Sequence, residues 1–376
     1  MRFAPEPAYR HGQPPRTALV LINLGTPDAP DTPSVRRYLA EFLSDPRVIE
    51  IPRLIWWPVL HGIILRVRPR KSAAKYASIW MEEGSPLAVW TKRQADALGE
   101  RLTAQGQDVT VTWAMRYGKP NLATVLDGLK ASGHSHIALL PLYPQYCAAT
   151  TATAVDVAAA WLSRQRHQPH LRWLRDYAGD AGYIAALAAR VRAHWATQGA
   201  RGERLVMSFH GMPAFSLDKG DPYHCQCYKT ARLLEQALEL APGTAVVTFQ
   251  SRFGRAKWLQ PYTEPTLVKL AGQGVRSVDV ICPGFVADCI ETLEEINMEA
   301  REAFLAAGGT HFAYIPCLND SPEWLDALTA LAQQQIAGWP GSGTPGAGPV
   351  AGESAVQRER HAAVAAALAA SNTAGR

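Results

Sequence analysis

Three stretches of this chain have residue types at spacings that could do chemistry. The first is "RLVMSFHGMP" (204–213), an apolar run that ends on His210 where Gly211 and Pro213 turn the chain away. An imidazole titrates near neutral pH, so at such a place it can take a proton or offer a lone pair to a metal. A lone histidine at a strand end can equally be a satisfied structural residue. The second is the series Asp288, Glu291, Glu295 and Glu299 in "PGFVADCIETLEEINMEA", which starts at Pro283. Spacings of three and four predict a helix with these carboxylates on one face. An acidic stripe is ordinarily a solvated surface. Four like charges repel, however, and a path for a cation or for protons makes use of them.

One histidine and one carboxylate form an incomplete N/O ligand set for a divalent first-row metal. Closed structural sites use four protein ligands, whereas a sparse site leaves positions open. His210 with Glu291 would hold a metal loosely, as suits an ion that is handed on. The third stretch, "DPYHCQCYKTARLL", sets Cys225 and Cys227 beside His224. Asp221 and Pro222 predict an N-cap and first position there, which puts both cysteines in a first helical turn. Two residues apart, they point to different faces. Cys147, Cys282, Cys289 and Cys317 supply no second close pair, so chelation is disfavoured. Ser208 near His210 lacks the G-x-S-x-G elbow of a nucleophile, and neither glycine pattern of nucleotide binding is present.

Strands must carry these residues to a common place. Apolar, β-branched runs begin at Ala18 ("ALVLINLG"), Val109 ("VTVTWAMRYG") and His136 ("HIALLPLYP"). A second set comprises "RLVMSFHG", "AVVTFQ" from Ala245, "VDVICPGF" from Val278 and "HFAYIPC" from His311. Continuous apolar strands alternating with helical stretches predict an α/β protein with parallel sheets covered on both faces. "ALVLINLGTP" (18–27) set above "RLVMSFHGMP" (204–213) shares Leu, Val, Gly and Pro at matching offsets, which suggests two similar halves. Leu24 then occupies in the first half the place of His210 in the second. In such sheets ligands bind outside the carboxyl ends of the strands.

The chain has 376 residues, 47% hydrophobic and 19% charged, enough for two cores. Its net charge of +5 is scattered, unlike the footprint of a nucleic-acid binder; an acidic substrate or an anionic membrane surface stays open. Six cysteines without framework spacing predict reduced thiols in the cytoplasm. The N-terminal segment lacks the apolar region of a signal peptide, and no apolar stretch approaches the roughly 20 residues of a spanning helix. Residues 51–76, "IPRLIWWPVLHGIILRVRPRKSAAKY", place apolar and aromatic residues beside a basic run, which suits a lip on a membrane surface or a flat apolar ligand as well as it suits a buried helix pair. The expected division is a polar tail (1–16), an N-terminal half (17–165), a C-terminal half (166–337) carrying the metal site, and a flexible Gly/Pro/Ala-rich tail (338–376).

Taken in order, "LINLGTP", "RRYLAEFLSDPRVIEIP", "EEGSPL", "LYPQY", "SFHGMP", "DPY", "TFQSRFGRAKWLQPYTEPTL" and "PGFVADCIETLEEI" resemble the ferrochelatase family, from about Ala18 to about Ala337. The resemblance implies two Rossmann-like domains of the type II chelatase kind, each a mostly parallel sheet flanked by helices, with the active-site cleft between them. It implies insertion of Fe2+ into protoporphyrin IX to give protoheme, with release of two protons, as the last step of heme biosynthesis. By this resemblance His210 and Glu291 are the catalytic pair and bind the metal, and Asp288 and Glu295 form the acidic path. Tyr117, Tyr146 and Trp258 lie near the macrocycle, Leu24 lies in the loop beneath it, and 51–76 is the apolar lip. Iron is then substrate, and no tightly bound cofactor is expected. Members with a [2Fe–2S] cluster use cysteines near the C-terminus, and this chain has none after Cys317. Cys289 stands where animal members carry a histidine, so that residue's role does not transfer. Relatives that metallate coproporphyrin carry a tyrosine where Leu24 stands, which favours protoporphyrin. The expected partners are protoporphyrin IX and Fe2+, with a peripheral contact at the inner face of the membrane and no nucleic acid. The alternatives are a porphyrin or metal carrier on the same fold, and a chelatase for another metal or tetrapyrrole.

Overall fold

The computed structural model describes residues 3–8, 13–254, 256–343, 359–360, 363–364 and 366. The first sheet holds β1 (Arg16–Gly25), β2 (Val109–Tyr117), β3 (His134–Pro141) and β4 (His170–Trp173), in the order β2-β1-β3-β4. The second holds β5 (Arg204–His210), β6 (Ala245–Gln250), β7 (Ser277–Ile281) and β8 (His311–Tyr314), in the order β6-β5-β7-β8. Every pairing is parallel. Numbered from its own first strand, each sheet has the same order, so the chain is two Rossmann-like halves. Leu24 in β1 and His210 in β5 stand at equivalent ends.

The apolar runs form strands because both faces of each sheet are covered. In β1, Leu19 and Leu21 enter one core while Ala18, Val20 and Ile22 enter another, the two-sided burial that an unbroken apolar strand requires. The first of these cores is shared by the two halves. It joins Leu19, Leu21 and Leu140 of the first sheet to Leu205, Met207 and Phe209 of the second. Tyr183, Leu187 and Val191 from the helix Ala181–Gln198, and Trp324, Leu328 and Leu331 from the helix Pro322–Ile336, complete it. Each fully buried Leu-sized side chain contributes about 1.5–3 kcal/mol, so the halves are held as one body.

The structure moves three of the expected boundaries. β4 pairs with β3, His136 beside His170, so the first sheet extends past residue 165. Its sequence, HLRW, is too short and too polar to announce a strand. The N-terminal segment is attached in its described part: the Ala4 N–H donates to the Arg164 carbonyl at 2.8 Å, and Glu6 accepts from the Arg166 N–H and pairs with Lys130. The expected C-terminal tail begins inside the fold. Trp339 is only 2% exposed, with the Arg172 guanidinium 4.2 Å over its ring. The Gly341 carbonyl accepts from the Asp108 N–H at 2.9 Å, and a Cβ at Gly341 would come within 2.2 Å of the Asp108 oxygen. Glycine therefore allows this approach. The Gly/Pro composition concealed a buried anchor, and most of 344–376 lies outside the described residues. Among the described residues, no helix is long and apolar enough to cross a membrane.

Trp339→Ala is expected to destabilise the protein by about 3 kcal/mol or more, read as a lowered midpoint in thermal unfolding. An unchanged midpoint would return residues 338–343 to the status of a tail.

Candidate active site

His210 is the last residue of β5, paired in register with Gln250 of β6. Its Nδ1 lies 2.7 Å from the Gly211 carbonyl oxygen. A carbonyl can only accept, so Nδ1 carries the proton, and the neutral ring keeps a lone pair on Nε2. The Tyr223 hydroxyl donates to the His210 carbonyl at 2.9 Å, and the Gly211 N–H donates to the Gln250 carbonyl at 2.7 Å. A Cβ on Gly211 would sit 2.5 Å from that same oxygen and 3.3 Å from the Trp258 ring. The glycine after the histidine is therefore a matter of space, and Trp258 packs against the exit. Phe285 stands with its ring 6.5 Å from the imidazole.

The acidic segment folds differently from the expected α-helical stripe. Residues Glu291–Ala300 form a π-helix, a conformation that occurs mostly in short pieces and often at functional sites. Asp288 falls in the turn before it. Its carboxylate is buried and accepts from the Tyr314 hydroxyl, Asn319 Nδ2 at 2.7 Å and Thr292 Oγ1 at 3.0 Å. A carboxylate so occupied is a structural bolt, not a station on an open path. Glu299 is turned outward and shares Lys75 with the buried Glu294, at 2.7 and 3.0 Å. Of the four carboxylates expected on one face, this leaves Glu291 and Glu295.

Glu291 lies among groups from the first half. Burial pushes the Tyr76 and Tyr38 phenols well above their ordinary range, and the charge of Glu291 adds to the effect at both. Cys289, also raised by burial, feels the same charge. Glu295 accepts from the Ser251 backbone N–H at 2.6 Å and from the Ser251 hydroxyl. Ser251 holds a left-handed φ of +64°, an unusual conformation for a residue with a side chain. Burial raises the Glu295 carboxyl above its usual 4.5 and the charge of Glu291 pushes the same way, against the Ser251 hydrogen bonds and the nearby His210. The charges of His210 and Glu291 thus both act on the Glu295 carboxyl. Among the described residues, no three His, Cys, Asp or Glu side chains are placed together so as to hold a metal ion by themselves.

The remaining expected residues divide. Leu24 packs in a cluster with Tyr76, Phe253 and Ile290, facing the second half across the cleft. Tyr146 is half-buried under the Arg175 guanidinium at 4.5 Å. Tyr117 has no exposed surface: its hydroxyl donates to Asp45 at 2.9 Å and Phe42 meets its ring edge-on. It supports the wall from behind and does not face the cleft. Cys225 is exposed and Cys227 buried, near the start of the helix Tyr223–Leu238; its N-cap is Pro222, one residue later than expected, and Asp221 accepts from the Tyr223 N–H at 3.0 Å. Sequence reasoning passed over Gln250, Ser251 and Lys75. The clue to the first two was a polar pair ending the apolar strand "AVVTFQS", the same signal that drew attention to His210.

The lip is built from the helix Arg53–Val59, a π-helical turn Leu60–Ile64 and the helix Leu65–Ile79. Trp56, Leu60, Leu65 and Tyr76 face inward. Leu54 is 93% exposed, and Ile55, Trp57, Ile63 and Val67 are exposed beside it.

The chain matches the ferrochelatase family profile over residues 16–336. The ferrochelatase of Methylibium petroleiphilum is 61% identical over 345 residues, covering 92% of this chain and 95% of its own. That of Polaromonas sp. is 60% identical over 344 residues, covering 90% and 94%, and that of Dechloromonas aromatica 58% over 340 residues, covering 90% and 93%. Similarity that runs through both sheets and the cleft between them does not favour a carrier or a chelatase for another tetrapyrrole. The chain belongs to the ferrochelatase family, the lyases that insert ferrous iron into protoporphyrin in heme biosynthesis.

Proposed function

We propose that His210 and Glu291 bind the incoming ferrous ion, that His210 accepts the pyrrole protons, and that Glu295 carries them away. The observation behind this reading is that His210 ends β5 beside Gln250, that Gln250 holds the Glu291 carbonyl, and that the next residue, Ser251, holds the Glu295 carboxylate. Two pyrrole N–H protons must leave as iron enters the macrocycle. Iron is ferrous before and after, so the step needs a base and ligands and no change of oxidation state.

A neutral imidazole with its lone pair on Nε2 can serve either purpose near neutral pH. Protonation removes that lone pair, so proton removal and metal binding by His210 occur in turn. Glu295 has a raised pKa, and it therefore holds a proton at pH values where a free glutamate would be ionised. Above that raised value it is a carboxylate and can take the proton from the imidazolium. Below it the route is blocked, and the acid limb of activity should lie above 4.5. Trp258, Tyr146 and Leu24 are assigned to the walls that receive a flat apolar macrocycle. The exposed lip, with Arg53, Arg66, Arg70 and Lys71 exposed around its apolar residues, is assigned a peripheral contact with the inner face of an anionic membrane.

Mixing Fe2+ and protoporphyrin IX anaerobically with the wild type should give the visible spectrum of heme, with turnover lowered about 100-fold or more in His210→Ala and in Glu291→Gln. Retained turnover in His210→Ala would remove its assigned role. Glu295→Gln should lower kcat by about 100-fold and abolish the acid limb that this group sets, whereas an unchanged pH profile would exclude it from the proton route. For the lip, cosedimentation with vesicles containing phosphatidylglycerol should be strong in wild type and lost in the double variant Leu54→Glu/Ile63→Glu; equal sedimentation of the two would sink the membrane contact.

A further inference from the structure

Gln250 closes β6 and is buried where three elements meet. Its Nε2 donates to the Glu291 carbonyl at 2.7 Å. Its Oε1 accepts from the Ser208 hydroxyl of β5 at 2.6 Å and from the Cys282 thiol just beyond β7 at 3.8 Å. Its backbone carbonyl takes the Gly211 N–H at 2.7 Å. The Glu291 carbonyl can only accept, so the amide nitrogen must face the π-helix and the amide oxygen must face the strands. Behind it, Ser208 contacts Thr263 at 2.8 Å, and Thr263 contacts Thr248 at 3.0 Å, all three buried.

We propose that Gln250 is a positioning residue for metal insertion: its amide fixes the first residue of the π-helix, and with it the Glu291 carboxylate, against the strand end that presents His210. The proposal rests on the assignment of His210 and Glu291 as the iron ligands. Those two residues are far apart in sequence and lie on different elements, and each is joined to Gln250 through hydrogen bonds of its own or its neighbour's backbone. The next residue repeats the arrangement, since Ser251 holds the Glu295 carboxylate. The last residue of β6 and the one after it therefore brace the π-helix at the Glu291 backbone and at the Glu295 carboxylate.

A side chain at this position must donate on one side and accept on the other. Leucine can do neither, and an ionised glutamate can only accept. Buried polar groups lose their partners at full cost when one member is removed, and a displacement of about 1 Å in a reacting constellation can lower rates about 100-fold. The metal ligands should feel such a displacement, while the macrocycle walls at Leu24, Tyr146 and Trp258 make no contact with the amide.

Steady-state insertion of Fe2+ under anaerobic conditions, together with metal-free protoporphyrin IX binding by fluorescence quenching, tests this in Gln250→Leu and Gln250→Glu beside His210→Ala and Glu291→Gln. Gln250→Leu should lower kcat about 100-fold and raise the KM for Fe2+, while porphyrin affinity stays within about twofold, which also reports that the variant is folded. Gln250→Glu can donate to the Glu291 carbonyl only when protonated, so its kcat relative to wild type should rise as pH falls. Wild-type kcat and Fe2+ KM in Gln250→Leu would overturn the proposal, as would a kcat loss accompanied by an equal loss of porphyrin affinity. Should Gln250→Leu fail to fold, a pH-independent ratio of Gln250→Glu to wild type overturns it. Normal turnover in His210→Ala and Glu291→Gln defeats the ligand assignment itself, whereas their inactivity beside an active Gln250→Leu defeats the role of Gln250 alone.

Discussion

The site depends first on the apolar core shared by the inner faces of the two sheets. Leu19, Leu21 and Leu140 on one side meet Leu205, Met207 and Phe209 on the other, and helices from both parts of the chain seal the join. Close-packed interiors of this kind transmit position because they deform little. The carboxyl ends of β1 and β5 are therefore held in a fixed relation, and Leu24 of the first half packs in one cluster with Phe253 and Ile290 of the second. His210 and Glu291 come from one half, Tyr38, Tyr76 and Leu24 from the other. Had the halves been joined by a linker alone, these residues would have no fixed relation.

Within that frame the acidic segment is sorted by the company each carboxylate keeps. Asp288 is consumed by three donors beneath the turn. Glu294 and Glu299 share Lys75, which ties the π-helix to the end of the lip. Glu295 is held by Ser251, and the charges of His210 and Glu291 both act on it. A buried charge is tolerated when it is paired or hydrogen-bonded, as Asp288, Glu294 and Glu295 are. The proposed ligation by His210 and Glu291 alone would fit an ion that passes through to a macrocycle, since a closed set of four protein ligands would compete with the pyrrole nitrogens.

Much of this was legible in the chain. Unbroken apolar runs marked seven strands, because a strand buried on both faces needs no polar alternation. The half-repeat aligned Leu24 with His210, and the sheets place them at equivalent ends. Asp221 and Pro222 marked a helix start, and the two cysteines after it face apart as their spacing required. The family motifs supplied the reaction. The four-residue β4 was illegible, since its pairing comes from β3 and not from its own sequence. Trp339 was hidden in a Gly/Pro run because composition averages over one large side chain.

Residue identity and periodicity thus determined by themselves the fold class, the two-half plan and the histidine at a strand's functional end. The tertiary structure alone decided which partner each carboxylate has, that Tyr117 is fully buried, and that Gln250 and Ser251 brace the π-helix. The reason is physical: periodicity reports which face of an element is apolar, a local property, whereas the state of a polar group depends on donors and charges brought from distant parts of the chain. Asp288 and Glu291 are three residues apart and chemically alike. What separates them is Tyr314 and Asn319 around Asp288, and Gln250, Tyr38 and Tyr76 around Glu291.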